Sequence, residues 1–396
     1  MKIAYILTAP QMAGFLRGQI SAMKASGFRP TVFSPLATEQ VREITSSEGA
    51  DLIISPMERN ISPWRDLVST LQLTYQLWRL KPEVVVTIGP KAGLLGGVAS
   101  CIIGVPCRIQ TKWGIRLETT TGLLRRVLTV ADKIAGACAH LILCDSQSGK
   151  QRTAELSLAP AHKIRVVANG SANGINTKRF AINPANQAAA SAFRAELGIS
   201  STAPLVGFVG RLNLDKGLIE LREAWALIVA QRPDATLAII GEDECKSAEE
   251  KLALAQLKQS LGVKILGPRT GVEGLFMAMD VFLMPSHREG FGVVVLEAAA
   301  MEVPTVGFNV TGMKDSVLNH TTGVLVELGD VKGLARATLS YLSDVQLKKQ
   351  HGQKGRQRVE ADFQPATVWR GYFETYRDLA EARNLDTRRL KWNFPT

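Results

Sequence analysis

The sequence of 396 residues has few of the features that mark membrane or secreted proteins. Its longest uncharged stretch, residues 92–107, holds 16 residues, is rich in glycine and ends just after Pro106. A membrane-spanning helix needs about 20 apolar residues. The five cysteines include no C-x-x-C pair, and their odd number argues against a disulfide framework. We therefore expect no transmembrane segment, a buried helix within 92–107, and free thiols in a reducing cytosol.

Several nucleotide and metal motifs are also missing. The one G-x-G spans Gly290 to Gly292, and Val295 stands where a third glycine would complete a dinucleotide fingerprint. No Walker A motif, D-x-D pair, H-E-x-x-H or G-x-S-x-G occurs. These absences disfavour a dinucleotide oxidoreductase and give no support to a metal-dependent or triad mechanism. We expect neither a cofactor nor a metal.

The net positive charge of the chain lies entirely in its first half. Residues 1–180 hold 22 basic and 11 acidic side chains, whereas the remaining residues hold 25 of each. A basic half attracts phosphates, nucleic acid or an anionic membrane face. Solubility alone is the other interpretation, and charge by itself does not decide between them.

Short apolar runs alternate with longer periodic segments along the chain. Residues 2–7 ("KIAYIL") and 83–89 ("EVVVTIG") read as strands, and residues 14–27 read as a helix that ends at Gly27. Residues 63–82 carry large apolar side chains at helical spacing: Trp64, Leu67, Val68, Leu71, Tyr75 and Trp78. This alternation predicts an α/β fold, a parallel sheet with helices on both faces.

The alternation is interrupted once, at residues 169–187, which are rich in Asn, Gly and Pro and read as a linker. We therefore predict two doubly wound domains, residues 1–180 and 181–364, facing a cleft. A helix and tail at 365–396 should pack back on the first domain. Ligands of such sheets bind at the carboxyl ends of the strands.

The first candidate site is "GFVGRLNLDKG", residues 207–217. An apolar strand runs into a loop that carries Gly210, Arg211 and Lys216, and a helix is predicted to begin at about Gly217. Two cations beside a helix N-terminus at the end of a strand form a diphosphate site. Surface cations with Asp215 capping the helix are the alternative.

The second candidate is "PSHREGFGVVVLEAAA", residues 285–300, in which two glutamates stand eight positions apart. Glu289 lies at a glycine-rich bend, and Glu297 lies about one turn into the helix that follows. Carboxylates accept hydrogen bonds from sugar and ribose hydroxyls, which suits a nucleotide sugar. Glu297 among apolar residues needs either a polar partner or a solvated helix face. The bend also offers backbone amides to a ligand, at Gly290, Phe291, Gly292 and Val293.

Together the two motifs resemble those of the retaining glycosyltransferases of family 4, which have the GT-B fold of two Rossmann-like domains. The resemblance covers nearly the whole chain. Segments such as "FLRGQISAMKASGF", "GPKAGLLG", "GIRLETTTG" and "TTGVLVE" look like those of the bacterial exopolysaccharide, capsule and O-antigen branch.

The resemblance implies a role for each motif residue. Glu289 contacts donor sugar hydroxyls, Glu297 binds the ribose, and Arg211 and Lys216 neutralise the diphosphate leaving group. The amides near Gly292 and Val293 assist them, and Gly14, in the first strand–helix loop, approaches the donor phosphates or the acceptor. The family transfers sugars with retention of configuration and without a metal, and a uridine donor is its commonest case.

The acceptor implied by the resemblance is a polyprenyl-diphosphate-linked saccharide at the cytoplasmic membrane face, and not a nucleic acid. Such a peripheral, cytoplasmic protein fits the basic first half. Candidate acceptor-side or membrane-side residues are Arg17, Lys91, Trp113 and Arg116, with Lys112, Arg125 and Arg126 as further basic candidates. Trp113 stands where relatives often have histidine, which leaves the role of that position open.

Two other functions remain open at this point. Nucleotide-sugar epimerases share this two-domain architecture and would change the sugar of a donor without any acceptor. A non-catalytic protein that binds a nucleotide sugar is the second possibility, which Trp113 favours and the intact glutamate and cation set disfavours.

Overall fold

The structure is a computed structural model that describes residues 1–58 and 61–394. The chain divides into two compact units, one formed by Met1–Gly174 with the segment that begins at Pro365, and the other by Ile175–Gln364. The first unit therefore ends before residue 180, because Ile175 and Phe180 are buried in the core of the second. The end of the predicted tail, Pro395 and Thr396, lies outside the described residues, as do Arg59 and Asn60.

The first unit contains a parallel sheet whose central strands are buried on both faces, as expected for runs of β-branched and aliphatic residues. In the described part of the unit, the sheet has seven strands: β1 (Lys2–Leu7), β2 (Arg29–Ser34), β3 (Asp51–Ile54), β4 (Val84–Ile88), β5 (Cys107–Lys112), β6 (Leu141–Cys144) and β7 (Ile164–Val166). Their order is β3-β2-β1-β4-β5-β6-β7. In the centre, Tyr5 of β1 is in register with Val32 and Val86 of its two neighbours.

Helices connect these strands: α1 (Gln19–Ala25), α2 (Glu39–Glu48), α3 (Pro63–Leu80), α4 (Pro90–Ile102), α5 (Gly122–Cys138) and α6 (Gln147–Glu155). Right-handed crossovers place α1 and α2 on one face of the sheet and α3 to α5 on the other. The core agrees, because Ile20 and Val41 pack with Tyr5, whereas Leu73 and Leu95 pack with Ile6.

The predicted helix over residues 14–27 is wrong over residues 14–18. Residues Pro10–Leu16 form a 3-10 helix, and α1 begins only after Gly18, whose φ is +80°. A Cβ at Gly18 would lie 2.2 Å from the ring of Trp369. Gly18, which has a positive φ and lies against the Trp369 ring, therefore separates the 3-10 helix from α1.

The second unit contains another parallel sheet. Its described strands are β8 (Leu205–Val209), β9 (Thr236–Ile240), β10 (Val263–Ile265), β11 (Val281–Met284), β12 (Thr305–Phe308) and β13 (Gly323–Val326). Their order is β10-β9-β8-β11-β12-β13. All strands run in the same direction, but the order in which the chain adds them reverses between β8 and β11. Ligands bind at the carboxyl ends of strands beside such a reversal.

The helices of the second unit are α7 (Pro184–Glu196), α8 (Leu218–Gln231), α9 (Ala248–Gln259), α10 (Val272–Ala278), α11 (Val293–Ala300), α12 (Met313–Ser316), α13 (Val331–Ser343) and α14 (Val345–Asp362). The segment that the sequence indicated as a linker thus ends in helix, because Asn183 caps α7 with its side chain and Pro184 fits the first helical position.

The last helix, α15 (Pro365–Ala382), packs on the first unit. Phe373 and Tyr376 meet Phe28 edge to face. The segment after the helix is held too, because the backbone N–H of Lys391 donates to the carbonyl of Ser26 and Trp392 packs 5.6 Å from Phe373. Across residues 1–58 and 61–394, no helix has both the length and the apolar character that crossing a bilayer demands.

Candidate functional site

The loop after β8 supplies the cations that the sequence singled out. Residues 210–213 leave the strand, and Leu214–Lys216 form one turn of 3-10 helix whose backbone N–H at Lys216 is capped by the Asn213 side chain, 3.2 Å away. Gly217 follows with a φ of +71° and begins α8. A Cβ there would lie 1.8 Å from the carbonyl oxygen of Pro285. Only glycine therefore lets this loop approach the loop after β11 so closely.

The loop after β11, residues 285–292, is joined to the first loop by its backbone and its charges. The N–H of His287 donates to the carbonyl of Asp215 at 2.9 Å. The Arg288 guanidinium lies 2.5 Å from the Asp215 carboxylate. Because β8 and β11 are neighbours in the sheet, their carboxyl ends meet and these contacts become possible.

The contact at the centre of the site is an ion pair between Lys216 and Glu289. The ammonium Nζ lies 2.5 Å from the carboxylate Oε1, and the two side chains are 18% and 10% exposed. A third loop, after β12, holds the backbone of Glu289. The N–H of Glu289 donates to the carbonyl of Thr311 in this loop at 3.2 Å. Gly312 allows this approach, since a Cβ there would lie 2.7 Å from the Glu289 carbonyl oxygen. The sequence assigned Lys216 and Glu289 to different parts of the donor, and the structure brings the two side chains into direct contact.

Arg211 lies in the same loop as Lys216, but its guanidinium is engaged elsewhere. Its Nη1 is 2.8 Å from Glu244 Oε2, and Asn213 Nδ2 donates to the same oxygen at 3.1 Å. Arg211 remains 41% exposed. Sequence reasoning missed Glu244, although its position just after β9 was a usable signal.

Glu297 lies on α11, the helix that begins at Gly292 with a φ of +77°. Its side chain is partly exposed, and we find no hydrogen-bond partner for it among residues 1–58 and 61–394. Burial raises the pKa of Glu297 to about 7, with Arg179 acting to lower it and Glu273 to raise it. Among the described residues Glu297 thus has no protein partner, and a partner supplied by a ligand stays a prediction.

The amides of the bend differ in what surrounds them. Phe291 is buried against Phe363, with ring centroids 5.3 Å apart, so its side chain belongs to the core. Gly290 and Val293 are partly buried. Phe291 can therefore contact a ligand with its backbone but not with its side chain.

A second contact that sequence reasoning missed lies beside the ion pair. His287 Nε2 is 2.8 Å from Glu220 Oε1, on the first turn of α8. This hydrogen bond raises the pKa of His287. Together with the Arg288–Asp215 pair, it fixes the loop that carries Glu289.

In the first unit, the candidate residues lie at the ends of strands and in the segments beyond them. Gly14 is in the 3-10 helix after β1, and Arg17 forms a two-pronged pair with Glu43, at 2.9 and 3.0 Å. Lys91 Nζ lies 2.6 Å from Asp66 Oδ1, with both side chains largely buried. Two of these cations are thus already paired with carboxylates.

Two further first-unit candidates, Trp113 and Arg116, lie beyond β5. Trp113 packs edge to face on Phe15, with ring centroids 5.1 Å apart. Arg116 is exposed at the start of a short 3-10 helix. Within residues 1–58 and 61–394, no three His, Cys, Asp or Glu side chains form a group that could hold a metal ion.

Two family models match the chain in the two units. The model for glycosyl transferases group 1 matches residues 190–358, and that for the glycosyl transferase 4-like domain matches residues 12–170. The chain is 33% identical to the capsular polysaccharide biosynthesis glycosyltransferase CapM of Staphylococcus aureus, over 93% of this chain and 94% of that one. It is 27% identical to the UDP-Gal:alpha-D-GlcNAc-diphosphoundecaprenol alpha-1,3-galactosyltransferase of Escherichia coli, over 72% and 73% of the two chains.

Solved structures agree on the fold. Anabaena Alr3699/HepE, in complex with UDP and glucose, superposes with a TM-score of 0.78 at 19% identity, over 96% of this chain and all of that one. Sucrose-phosphate synthase from Thermosynechococcus elongatus gives a TM-score of 0.79 at 19% identity over the same shares. The family resemblance that the motifs indicated is confirmed. The chain belongs to the group 1 glycosyltransferases with a 4-like first domain, and it is a glycosyltransferase of the GT-B fold.

Proposed function

We propose that this enzyme moves one sugar from a UDP-sugar to a polyprenyl-diphosphate-linked saccharide during the synthesis of a bacterial surface polysaccharide. The transfer retains the anomeric configuration, needs no metal and takes place at the cytoplasmic face of the membrane, where the protein is peripheral. The observation that carries this proposal is the Lys216–Glu289 pair, formed where β8 and β11 end beside the reversal of strand order.

The leaving group of the reaction is a nucleoside diphosphate, which gains negative charge as the glycosidic bond breaks. Lys216 is a fixed cation at a strand end, and Arg211 lies in the same loop with two fifths of its side chain exposed. The first backbone amides of α11 add the positive end of a helix dipole. Fixed cations and amides of this kind stabilise a developing anion without a metal.

The two glutamates take different parts of the donor in this proposal. Glu289, held by Lys216 and by the backbone of Thr311, accepts hydrogen bonds from the sugar hydroxyls beside the reacting carbon. Glu297, partly exposed and without a partner among the described residues, accepts them from the ribose. A half-buried carboxylate without a protein partner gains hydrogen bonds from the hydroxyl donors of a ribose.

Uridine as the base and a lipid diphosphate as the acceptor are supported by relatives and by charge. The E. coli relative is named for a UDP-galactose donor and a diphosphoundecaprenol acceptor, and the HepE structure holds UDP. The S. aureus relative is named for capsular polysaccharide biosynthesis. The excess of basic residues in the first half of this chain suits a diphosphate acceptor on an anionic leaflet.

A thermal-shift screen tests the donor half of the proposal first. The purified protein is heated with UDP, GDP, ADP or dTDP, each with and without EDTA. We expect UDP alone to raise the melting temperature, because a ligand that binds only the folded state stabilises it by mass action, and we expect EDTA to leave that shift unchanged. A shift with another nucleotide, or one abolished by EDTA, would contradict the donor or the metal-free mechanism.

The acceptor half is tested by product analysis with the selected nucleotide sugar and polyprenyl-diphosphate-linked saccharides. Transfer of the labelled sugar to the lipid, with the anomeric configuration of the donor, is the expected result. A donor whose sugar changes in the absence of any acceptor would instead indicate an isomerase.

A further inference from the structure

The outer face of α3 is apolar although it is exposed. Six large side chains form one continuous stripe at helical spacing, each 49–75% exposed: Trp64, Leu67, Val68, Leu71, Tyr75 and Trp78. The opposite face, with Ser69, Leu73 and Leu77, is the one buried toward the sheet. Monomeric soluble proteins rarely expose contiguous apolar patches of this kind, and those that do use them for binding.

A second stripe lies on α5, which is on the same face of the sheet. Five side chains of this helix are 42–75% exposed and follow the same spacing: Leu123, Leu124, Val127, Val130 and Ile134. The helix between them, α4, packs against both α3 and α5 and ends in Ile102, which is 66% exposed. We call the two stripes, with Ile102, the α3–α5 face.

The charges on this face are of one sign. The only carboxylates in α3 and α5 are Asp66 and Asp132, and each is withdrawn into an ion pair with a largely buried lysine of the same unit, at 2.6 and 2.9 Å. Four exposed cations remain that pair with no carboxylate of the described residues: Arg79, Lys81, Arg126 and Lys133. The face thus combines apolar stripes with a basic border.

We infer that the α3–α5 face docks on an anionic phospholipid bilayer, with both helices lying in the plane of the interface. Helices that lie in an interface bury a stripe of tryptophan and leucine and direct lysine and arginine toward anionic headgroups. Tryptophan and tyrosine are the side chains enriched at that depth. This inference rests on the proposed function in one respect, since a lipid-linked acceptor gives the enzyme a reason to reach the bilayer.

A second copy of the chain fits this face less well than a bilayer. A symmetric dimer contact places the same patch on itself, so the basic border of one copy would meet the basic border of the other. Like charges brought together in this way oppose association. An anionic membrane meets the same border with the opposite charge.

Vesicle flotation of the full chain tests the inference, using phosphatidylglycerol mixed with phosphatidylcholine, and phosphatidylcholine alone. Neither vesicle contains a lipid-linked saccharide or a donor, so the result does not depend on the proposed reaction. The triple variant Trp64→Gln/Leu71→Gln/Trp78→Gln should lose affinity for the anionic vesicles by about tenfold for each side chain. The matched control, Leu252→Gln/Leu261→Gln, removes two exposed leucines of the second unit, 59% and 62% exposed, and should bind as the wild type does.

A charge variant serves if the triple variant does not fold. Arg126→Gln/Lys133→Gln should weaken binding to anionic vesicles by roughly fivefold for each charge. The inference is overturned if the wild type floats with neither vesicle, or if both stripe and charge variants bind unchanged. It is also overturned if light scattering shows a wild-type dimer that the stripe variants dissociate. Vesicle binding without any nucleotide shift would leave the inference standing and reject the proposed donor site instead.

Discussion

The two units use nearly the same interaction for different ends. Lys216–Glu289 in the second unit and Lys91–Asp66 in the first are ion pairs of 2.5 and 2.6 Å, and both are largely buried. The Lys216–Glu289 pair joins two loops at the carboxyl ends of neighbouring strands, where a ligand can compete for either partner. The Lys91–Asp66 pair joins the first turns of α3 and α4 and removes a carboxylate from an apolar surface. Distance and burial alone therefore do not separate the proposed catalytic pair from a structural one, whereas the position of the pair at the strand ends does.

The largest expected effect separates these two uses of a buried pair. Lys216→Ala should lower kcat by about a hundredfold or more, since removing one preorganised cation at a developing anion has an effect of this size. Glu289→Gln should lower kcat to a similar extent, because it takes a charged acceptor from the sugar hydroxyls and leaves Lys216 without its partner. Steady-state kinetics with a UDP-sugar and a lipid-linked acceptor measures both losses of rate. Lys348→Ala is the matched control, because Lys348 pairs with Asp280 in the same unit.

The control should lose stability while turnover changes little. Melting temperatures of all three variants show whether a loss of rate is only a loss of fold. Wild-type turnover in both Glu289→Gln and Lys216→Ala would remove the site assignment. An equal loss of rate in Lys348→Ala would mean that any broken pair in this unit disables the enzyme.

The first unit should respond in stability. Lys91→Ala leaves Asp66 buried without its ion-pair partner, and we expect the free energy of unfolding to fall by about 3 kcal/mol. Arg17→Ala breaks a pair whose side chains are 51% and 56% exposed, and we expect a change of about 0.5 kcal/mol or less. Urea unfolding measures both. Similar losses of stability for the two variants would show that burial does not set the strength of these pairs. In both variants the KM for the donor should stay unchanged.

A pH dependence of stability, smaller than the loss expected for Lys91→Ala, should belong to Glu297. Its pKa is raised to about 7, so between about pH 4.5 and 7 the folded protein holds a proton that the unfolded chain has released. The wild type should therefore lose stability relative to Glu297→Gln as the pH rises through this window, by about 1–2 kcal/mol. Urea unfolding at a series of pH values measures the difference. Glu249→Gln, at an exposed position, is the control, and parallel curves for the wild type and Glu297→Gln would contradict the assignment.

Much of the fold was predictable because its signals are local. The helical pattern over residues 63–82 is α3, Pro63–Leu80, and the alternating pattern gives two parallel sheets. The α3 stripe shows the limit of such reasoning, since periodicity defines a face and not what covers it. The structure buries Leu73 and Leu77 and leaves Trp64 and Trp78 outside.

The site was predictable where its residues belong to one motif and not where they come from separate strands. Lys216 and Glu289 meet because β8 and β11 are adjacent, which the chain order does not state. For the same reason, sequence reasoning could not pair Arg211 with Glu244 or His287 with Glu220. The cations of the first half looked available from charge counting alone. Lys91 is instead engaged by Asp66, a partner 25 positions away that no spacing rule indicates.

The chain enters and leaves the second unit at adjoining points, and this has a consequence for inheritance. The N–H of Ile175 donates to the carbonyl of Phe363 at 2.8 Å, and the side chains of Thr177 and Gln364 are hydrogen-bonded. The second unit is therefore an insertion in the chain of the first unit, and its two ends lie next to each other. Recombination between related genes would exchange residues 175–364, and with them the proposed donor site, through two junctions that lie next to each other in the fold. A cut after Gly174 alone would instead remove α15 and expose the aromatic core around Phe28.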